Sequence, residues 1–183
     1  MEWEIDFLKF IIENFHNNAV TEIMRLITGI GNYGFIWILI AVVFIIMPEM
    51  RKTGKAMAIS LIIVLIVVNV ILKPLIDRAR PFEINTDILE SILISLPGDG
   101  SFPSGHTAAA FCGATSAFCC NKRVGSIFFV FAFLMGISRL YFAVHFPTDV
   151  IGGIVIGMLS GIAGYEISLK IFRNSSVNKI DKY

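Results

Sequence analysis

The sequence predicts an all-α fold: a polytopic bundle of about five membrane-spanning helices, preceded by an N-terminal amphipathic helix at the interface. Three observations lead there. Of the 183 residues, 56% are hydrophobic and only 16% are charged, against about 25% charged in a soluble globular protein. Five stretches carry no Asp, Glu, Lys or Arg at all: Leu26–Pro48, Ala56–Leu72, Gly100–Asn121, Val124–Ser138 and Val150–Tyr165. Polar and Gly/Pro-containing segments separate them. A helix needs about 20 residues to cross a hydrocarbon core of about 30 Å. Several of the stretches are shorter because Lys73, Arg139 or Asp149 clips one end. The composition excludes a disordered chain, and a formal net charge of +1 implies no nucleic-acid partner. The length fits one domain, 1–183.

The elements follow in order. In Met1–Phe15, Glu2, Asp6, Lys9 and Glu13 fall on one helical face, while Trp3, Phe7, Phe10, Ile11 and Phe15 fall largely elsewhere. This is the pattern of a helix lying in the interface; the alternative is a first spanning helix, which would make six. The start is acidic and does not fit a secretory signal peptide. Region 1–31 is therefore read as interfacial, because Thr28–Asn32 is polar and Gly-rich. The spans are expected over Tyr33–Met47, Ala56–Lys73, His106–Cys120, Gly125–Phe142 and Thr148–Phe172. The longest polar segment, 74–103, is broken by Pro74, Pro81, Pro97, Gly98 and Gly100. It is too long for a simple turn and reads as a functional loop, with Ile88–Leu96 as a short helix on the membrane surface. Region 173–183 reads as a tail.

Orientation comes from Lys and Arg near the spans. Arg51, Lys52, Lys55, Lys122, Arg123, Lys170, Arg173, Lys179 and Lys182 share one side, which is therefore expected to be cytoplasmic. The 74–103 loop, the Arg139–Asp149 turn and the N-terminal helix then face the extracytoplasmic side. Cys112, Cys119 and Cys120 all sit in the third span. They read as packing residues rather than a disulfide framework.

Three polar clusters interrupt the apolar pattern, and the span order puts them on the same membrane face. They are Lys73-x6-Arg80-Pro81, Pro103-Ser104-Gly105-His106, and Ser138-Arg139-x5-His145-x3-Asp149. Arg presents a planar fork to phosphate oxygens and Lys a point charge. Ser104 and Gly105 open a helix whose free N–H groups favour an anion. Lys73, Arg80, Ser104, Gly105 and Arg139 are thus candidates for a metal-free phosphate cradle. Asp149 lies within reach of one nitrogen of His145, leaving the other free to attack. His106 is placed to protonate a leaving oxygen. The implied reaction is phosphoryl transfer through a phosphohistidine, followed by hydrolysis, with His145, His106 and Asp149 catalytic.

These three motifs, in this order and spacing, resemble those of the type 2 phosphatidic acid phosphatase superfamily. The resemblance implies a metal-independent, cofactor-free lipid phosphatase, with His145 as nucleophile, Asp149 orienting it and His106 as acid and base. It also implies phosphate binding by Lys73, Arg80, Ser104, Gly105 and Arg139. Chain length and the expected side of the site suit an isoprenoid diphosphate, undecaprenyl diphosphate above all, by analogy at the level of fold and size. Phosphatidylglycerophosphate or phosphatidate is the alternative substrate. A vanadate-dependent haloperoxidase is a rival enzyme that the membrane spans disfavour. A silent membrane binding or transport protein is a rival that the paired histidines disfavour. His16 belongs to no motif and reads as a polar interface residue. Asn69 reads as inter-helix packing, and Arg78, at a variable position of the first motif, as a lesser candidate for substrate contact. Asp149, Gly153, Gly157 and Gly161 form one face of the last span. With Ala108, Ala109, Ala110, Gly113, Ala114 and Ala117 of the third, this face predicts close packing of these two helices.

Overall fold

The computed structural model describes residues 2–90 and 94–180, the side chains of 33, 89, 90 and 173–180 excepted. Every regular element among them is helical. Helix α1 covers Glu2–Phe15 and α2 covers Asn18–Ile30. The Asn17 side chain starts α2 by accepting the Val20 N–H at 3.0 Å, as an N-cap should. A tight turn at Asn32–Gly34, with Gly34 at φ +68, leads into α3, Phe35–Ile46. The turn bends α2 against α3 by 54°. The first span, expected to begin at Tyr33, is therefore the second half of a bent pair. The polar stretch before it, Thr28–Asn32, is the end of α2 and the start of the turn.

The second span is also longer than its charge-free run. Helix α4 (Arg51–Val64) passes into a π-helical stretch, Leu65–Leu72, and then into α5 (Lys73–Ile76). Pro74 supplies no N–H to this run. Asp77 ends it at φ +42, a left-handed conformation that Asp tolerates better than most residues. Short helices α6 (Pro81–Ile84) and α7 (Thr86–Glu90) follow. The helix expected over Ile88–Leu96 is instead α7, which ends at Glu90; 94–96 are not helical, and 91–93 lie outside the described residues. Asn85 opens α7 by accepting the Ile88 N–H at 3.2 Å.

The last three helices lie where the sequence puts them: α8 at Gly105–Cys120, α9 at Lys122–Tyr141 and α10 at Pro147–Ile180. The expected tail at 173–180 continues α10. By length and composition alone, the apolar stretch Pro48–Ile84, α9, and Pro147–Phe172 are long enough to cross a membrane, and the α2–α3 pair makes a fourth. Helix α8, at 16 residues, falls short of that length. It is sheathed by α4, α9 and α10 and buried along most of its length. The expected five spans thus comprise three full-length helices, one bent pair and one short central helix.

The core forms around α8, where Phe111, Ala110 and Ala114 meet Trp37 of α3, Met57 of α4 and Met135 of α9. Outward-facing Val130, Phe131 and Phe133 of α9 and Ile151, Val155 and Leu159 of α10 are more than half exposed. Such a surface suits lipid rather than water. Lys55 sits 3.8 Å over the Phe172 ring, which puts the start of α4 beside the membrane-length end of α10. The cysteines are free, with Cys112 buried and Cys119 and Cys120 half-buried.

Helix α10 packs on α8 through its small-residue stripe. A Cβ on Gly153 would come within 2.7 Å of the Ser104 carbonyl, one on Gly157 within 2.5 Å of the Ala108 carbonyl, and one on Gly161 within 2.9 Å of the Cys112 carbonyl. The two backbones therefore touch along three turns, as the sequence pattern predicts. Gly157→Leu would overfill that contact at a cost of about 1–3 kcal/mol. A lower melting temperature in detergent and a lower folded yield are expected; wild-type melting would contradict the close contact.

Candidate active site

The three sequence clusters reach one place. Lys73 opens α5 directly after the π-helical stretch, Arg80 lies in the turn before α6, and Gly105 and His106 open α8. Arg139 sits in the last turn of α9, and His145 in the loop before α10. All six line a single cavity of about 1200 Å³. Ser104 and Asp149 are fully buried just behind its wall. The Ser104 N–H donates to the Asp149 carbonyl at 3.0 Å, so the start of α8 is stitched directly to the first turn of α10. The cavity is also lined by apolar side chains: Ile38 of α3, Leu61 and Val64 of α4, and Leu65 and Val68 of the π stretch.

Arg80 is 1% exposed and almost saturated. It donates to the Asp99 carbonyl at 2.8 Å, the Val144 carbonyl at 2.7 Å and the Asp99 carboxylate at 2.7 Å. It also approaches His145 Nε2 at 3.4 Å. An Arg N–H can only donate, so this contact requires an unprotonated Nε2 and places the imidazole proton on Nδ1. Nδ1 faces Asp149 Oδ2 at 3.6 Å. That is an ion-pair distance but too long for a hydrogen bond, and Nδ1 has no hydrogen-bond partner. The expected carboxylate–imidazole hydrogen bond is therefore a longer contact here. Asp149 is held instead by Arg78, by the Ser101 hydroxyl, and by the Phe146 N–H at 2.8 Å.

Arg139 is 2% exposed and donates to Thr28 Oγ1 at 3.1 Å. Thr28 in turn lies 2.8 Å from Ser138 Oγ, which donates to the Met135 carbonyl. One N–H and two hydroxyls thus form a directed chain from α9 to α2 and back. Arg139 Nε remains without a partner. The expected N-terminal turn of α8 has Ser104 Oγ 2.9 Å from Thr107 Oγ1, and His106 Nε2 lies 3.2 Å from Asn32 Oδ1. Asn69 lines the same cavity, so its position is more than inter-helix packing. His16 contacts the Tyr141 carbonyl at 2.8 Å and tilts over the Tyr141 ring; it is structural and distant in role from the cavity.

The family model described as the PAP2 superfamily matches residues 53–173. The chain belongs to the PAP2 superfamily. It is 29% identical over 153 residues to the undecaprenyl-diphosphatase BcrC of Bacillus subtilis strain 168, covering 84% of this chain and 77% of that one. It is 33% identical over 168 residues to phosphatidylglycerophosphatase B of the same organism, covering 84% and 79%. Its fold is similar to the crystal structure of a transmembrane PAP2-type phosphatidylglycerolphosphate phosphatase from Bacillus subtilis, with a TM-score of 0.74 at 26% identity, covering 93% of this chain and 86% of that one. The chain is a multi-pass membrane phosphatase of the PAP2 type, acting on lipid phosphates.

The PAP2 cavity holds residues that the motifs do not reveal. Asp99, in the loop before α8, accepts from both Lys73 and Arg80. Partial burial works to raise its pKa, yet the hydrogen bonds and charges of Lys73 and Arg80 hold it below the ordinary carboxylate range. The nearest local sign of it is a lone carboxylate between Gly98 and Gly100, four residues before Pro103. Arg78, weighed as a substrate contact, instead bonds Asp149 and Glu4. Glu4 was detectable in principle, as the one carboxylate of α1 lying opposite the face of Glu2 and Asp6. Among the described residues no group of three His, Cys, Asp or Glu side chains is placed to hold a metal.

His145 is buried, and burial pushes its pKa down from 6.5 to about 3, with Arg80 and Arg139 adding to the shift and Asp149 opposing it. Its imidazole is therefore neutral at physiological pH. Between those two values the unfolded chain binds a proton here that the folded chain refuses. Folding stability must then fall as pH drops below about 6.5, and the effect vanishes above it. The wild-type melting temperature should decline more steeply on acidification than that of His145→Gln. Equal slopes would mean that this imidazole is not buried neutral.

Proposed function

We propose that the cavity removes a phosphate from an isoprenoid diphosphate, undecaprenyl diphosphate above all, through a phosphohistidine. The observation that carries this reading is the convergence of Lys73, Arg80, Arg139, His106 and His145 on one cavity that Ile38, Leu61, Val64, Leu65 and Val68 also line. The cations and the first N–H groups of α8 bind phosphate oxygens, which take over hydrogen bonds that Asp99 now receives. His145 Nε2 attacks the terminal phosphorus as its bond to the bridging oxygen breaks and the lipid monophosphate leaves. His106 gives that oxygen its proton, then withdraws a proton from the water that releases phosphate from His145. Such transfer is mainly positioning and charge neutralisation. The lipid chain lies along Ile38, Leu61, Val64 and Leu65.

The likeness to phosphatidylglycerophosphate phosphatases favours phosphatidylglycerophosphate as a second substrate class. The basic residues of the α3–α4 and α8–α9 turns and of α10 beyond its membrane-length part favour a cytoplasmic location for those ends. The cavity then opens on the extracytoplasmic side.

Phosphate release from undecaprenyl diphosphate, phosphatidate and phosphatidylglycerophosphate should be measured side by side, in detergent with chelator present. Release is expected in chelator, fastest from the diphosphate. His145→Ala should lose more than about a thousandfold, and His106→Ala about a hundredfold to ten-thousandfold, the range of general acid catalysis. Full activity in His145→Ala, or abolition by chelator, would sink the mechanism.

The side is tested separately. Gly98 is exposed with open space at its Cβ. In a background lacking the three native cysteines, Gly98→Cys should react with a membrane-impermeant maleimide in intact bacterial cells. Labelling only after lysis would reverse the orientation.

A further inference from the structure

Helix α1 carries one carboxylate where an interfacial helix should not. Glu2 and Asp6 are exposed, but Glu4 points into the protein with 4% of its side chain accessible. A buried carboxylate is strongly unfavourable unless paired. Glu4 is paired twice. Its Oε2 accepts from Arg78 Nη2 at 2.8 Å, and its Oε1 accepts from the Thr148 hydroxyl at 2.6 Å and the Thr148 N–H at 3.3 Å. Arg78 turns its other nitrogen, Nη1, to Asp149 Oδ1 and to Thr148 Oγ1. Its guanidinium also lies 4.2 Å over the Phe146 ring. The Arg78 carbonyl accepts the Ser101 N–H at 2.8 Å, and the Ser101 hydroxyl is one of the donors to Asp149. Leu8, one turn after Glu4, is fully buried against Tyr141, Phe142, Val144 and Phe146.

We propose that Glu4 and Arg78 are positioning residues for the Asp149–His145 pair, so that the N-terminal helix is part of the active-site machinery. This rests on the reading of His145 as nucleophile. The geometry does two things. It grips the segment on the C-terminal side of His145 at Phe146, Thr148 and Asp149, which fixes the direction of the imidazole. It also sets local charge. Arg78 alone beside Asp149 would cancel the carboxylate that faces His145 Nδ1. Glu4 answers Arg78, and the trio keeps one net negative charge. When His145 Nε2 bonds to phosphorus with its proton still on Nδ1, the ring becomes cationic, and that residual negative charge stabilises it. The other groups facing His145 are Arg80 from the turn before α6, Arg139 from α9, His106 from α8, and Lys73 and Asp99 across the cavity. None of them contacts Glu4 in the hydrogen-bond and ion-pair network described above.

The test uses the full-length protein in detergent, with KM from steady-state kinetics and a single-turnover rate constant with enzyme in saturating excess, which does not depend on the fraction of active molecules. The substrate is whichever of undecaprenyl diphosphate and phosphatidylglycerophosphate the wild type turns over faster. Glu4→Gln keeps the size and an acceptor but removes the charge; it should slow the step about tenfold while KM stays within about twofold. Glu4→Asp should recover part of the loss. Arg78→Lys, which cannot fork to two carboxylates, should be slower than Glu4→Gln. The exposed Glu2→Gln should match wild type. A wild-type rate constant in Glu4→Gln would overturn the proposal, even with lower yield or melting temperature, because α1 would then be a docking element alone. A rise in KM with an unchanged rate constant would overturn it equally. His145→Ala in the same assay separates the two readings. If it is active, the nucleophile assignment fails; if it is dead and Glu4→Gln is normal, only the relay fails.

Discussion

Gathering Lys73, Arg80 and Arg139 at one end of a membrane bundle is electrostatically unfavourable, and much of the loop structure follows from relieving it. Each of these side chains is nearly buried, and like charges brought together away from water repel strongly. Arg80 is stabilised by the carbonyls of Asp99 and Val144 and by the Asp99 carboxylate. Those acceptors can serve only if the loop before α8 and the loop before α10 both fold back over the guanidinium. Arg139 reaches its acceptor only because α2 brings Thr28 against α9. The charge cluster therefore dictates where the loops lie, and the loops carry His145 and the start of α8. Under the proposed function, the phosphate of the substrate supplies the negative charge that these cations complement.

The glycine stripe of α10 provides the mechanical counterpart. Contact of α10 with α8 at Gly153, Gly157 and Gly161 fixes the two helix starts side by side. The bond from Ser104 N–H to the Asp149 carbonyl then needs no side chain. Two of the three motifs are thus joined through backbone, where sequence variation has least effect.

Much of the candidate site was legible because membrane burial makes polar residues conspicuous. Lys73, Arg139 and Asp149 interrupt apolar runs, and His106 and His145 sit beside helix starts, so spacing singled out residues that the fold brings together at one cavity. Helices α8, α9 and α10 were legible from their charge-free runs. Helix α2 was not, because inward-facing Thr21 and Thr28 break up its apolar pattern. In the fold they satisfy the Tyr141 hydroxyl, Ser138 and Arg139, partners more than 100 residues away. Glu4 and Arg78 escaped for the same reason, being 74 residues apart. Asp99 escaped because a carboxylate between two glycines is what any solvent loop contains. A side chain's local pattern reports its own helix face; it does not report which distant group will meet it.

The π-helical stretch at Leu65–Leu72 has a consequence for how the protein can vary. Such a stretch holds more residues per turn than the α-helix around it. It sets the angle at which Lys73 leaves the helix relative to the face where Leu61 and Val64 meet α8. Leu61, Val64, Leu65, Val68, Asn69 and Lys73 all border one cavity only in that winding. Losing or gaining a single residue in this helix would turn Lys73 by about 100° around the axis, away from the cavity. Substitutions along the lipid-facing side of this helix are tolerable in any apolar residue. Its length is not adjustable, so the residue count from Leu61 to Lys73 shapes the cavity as much as the lysine itself.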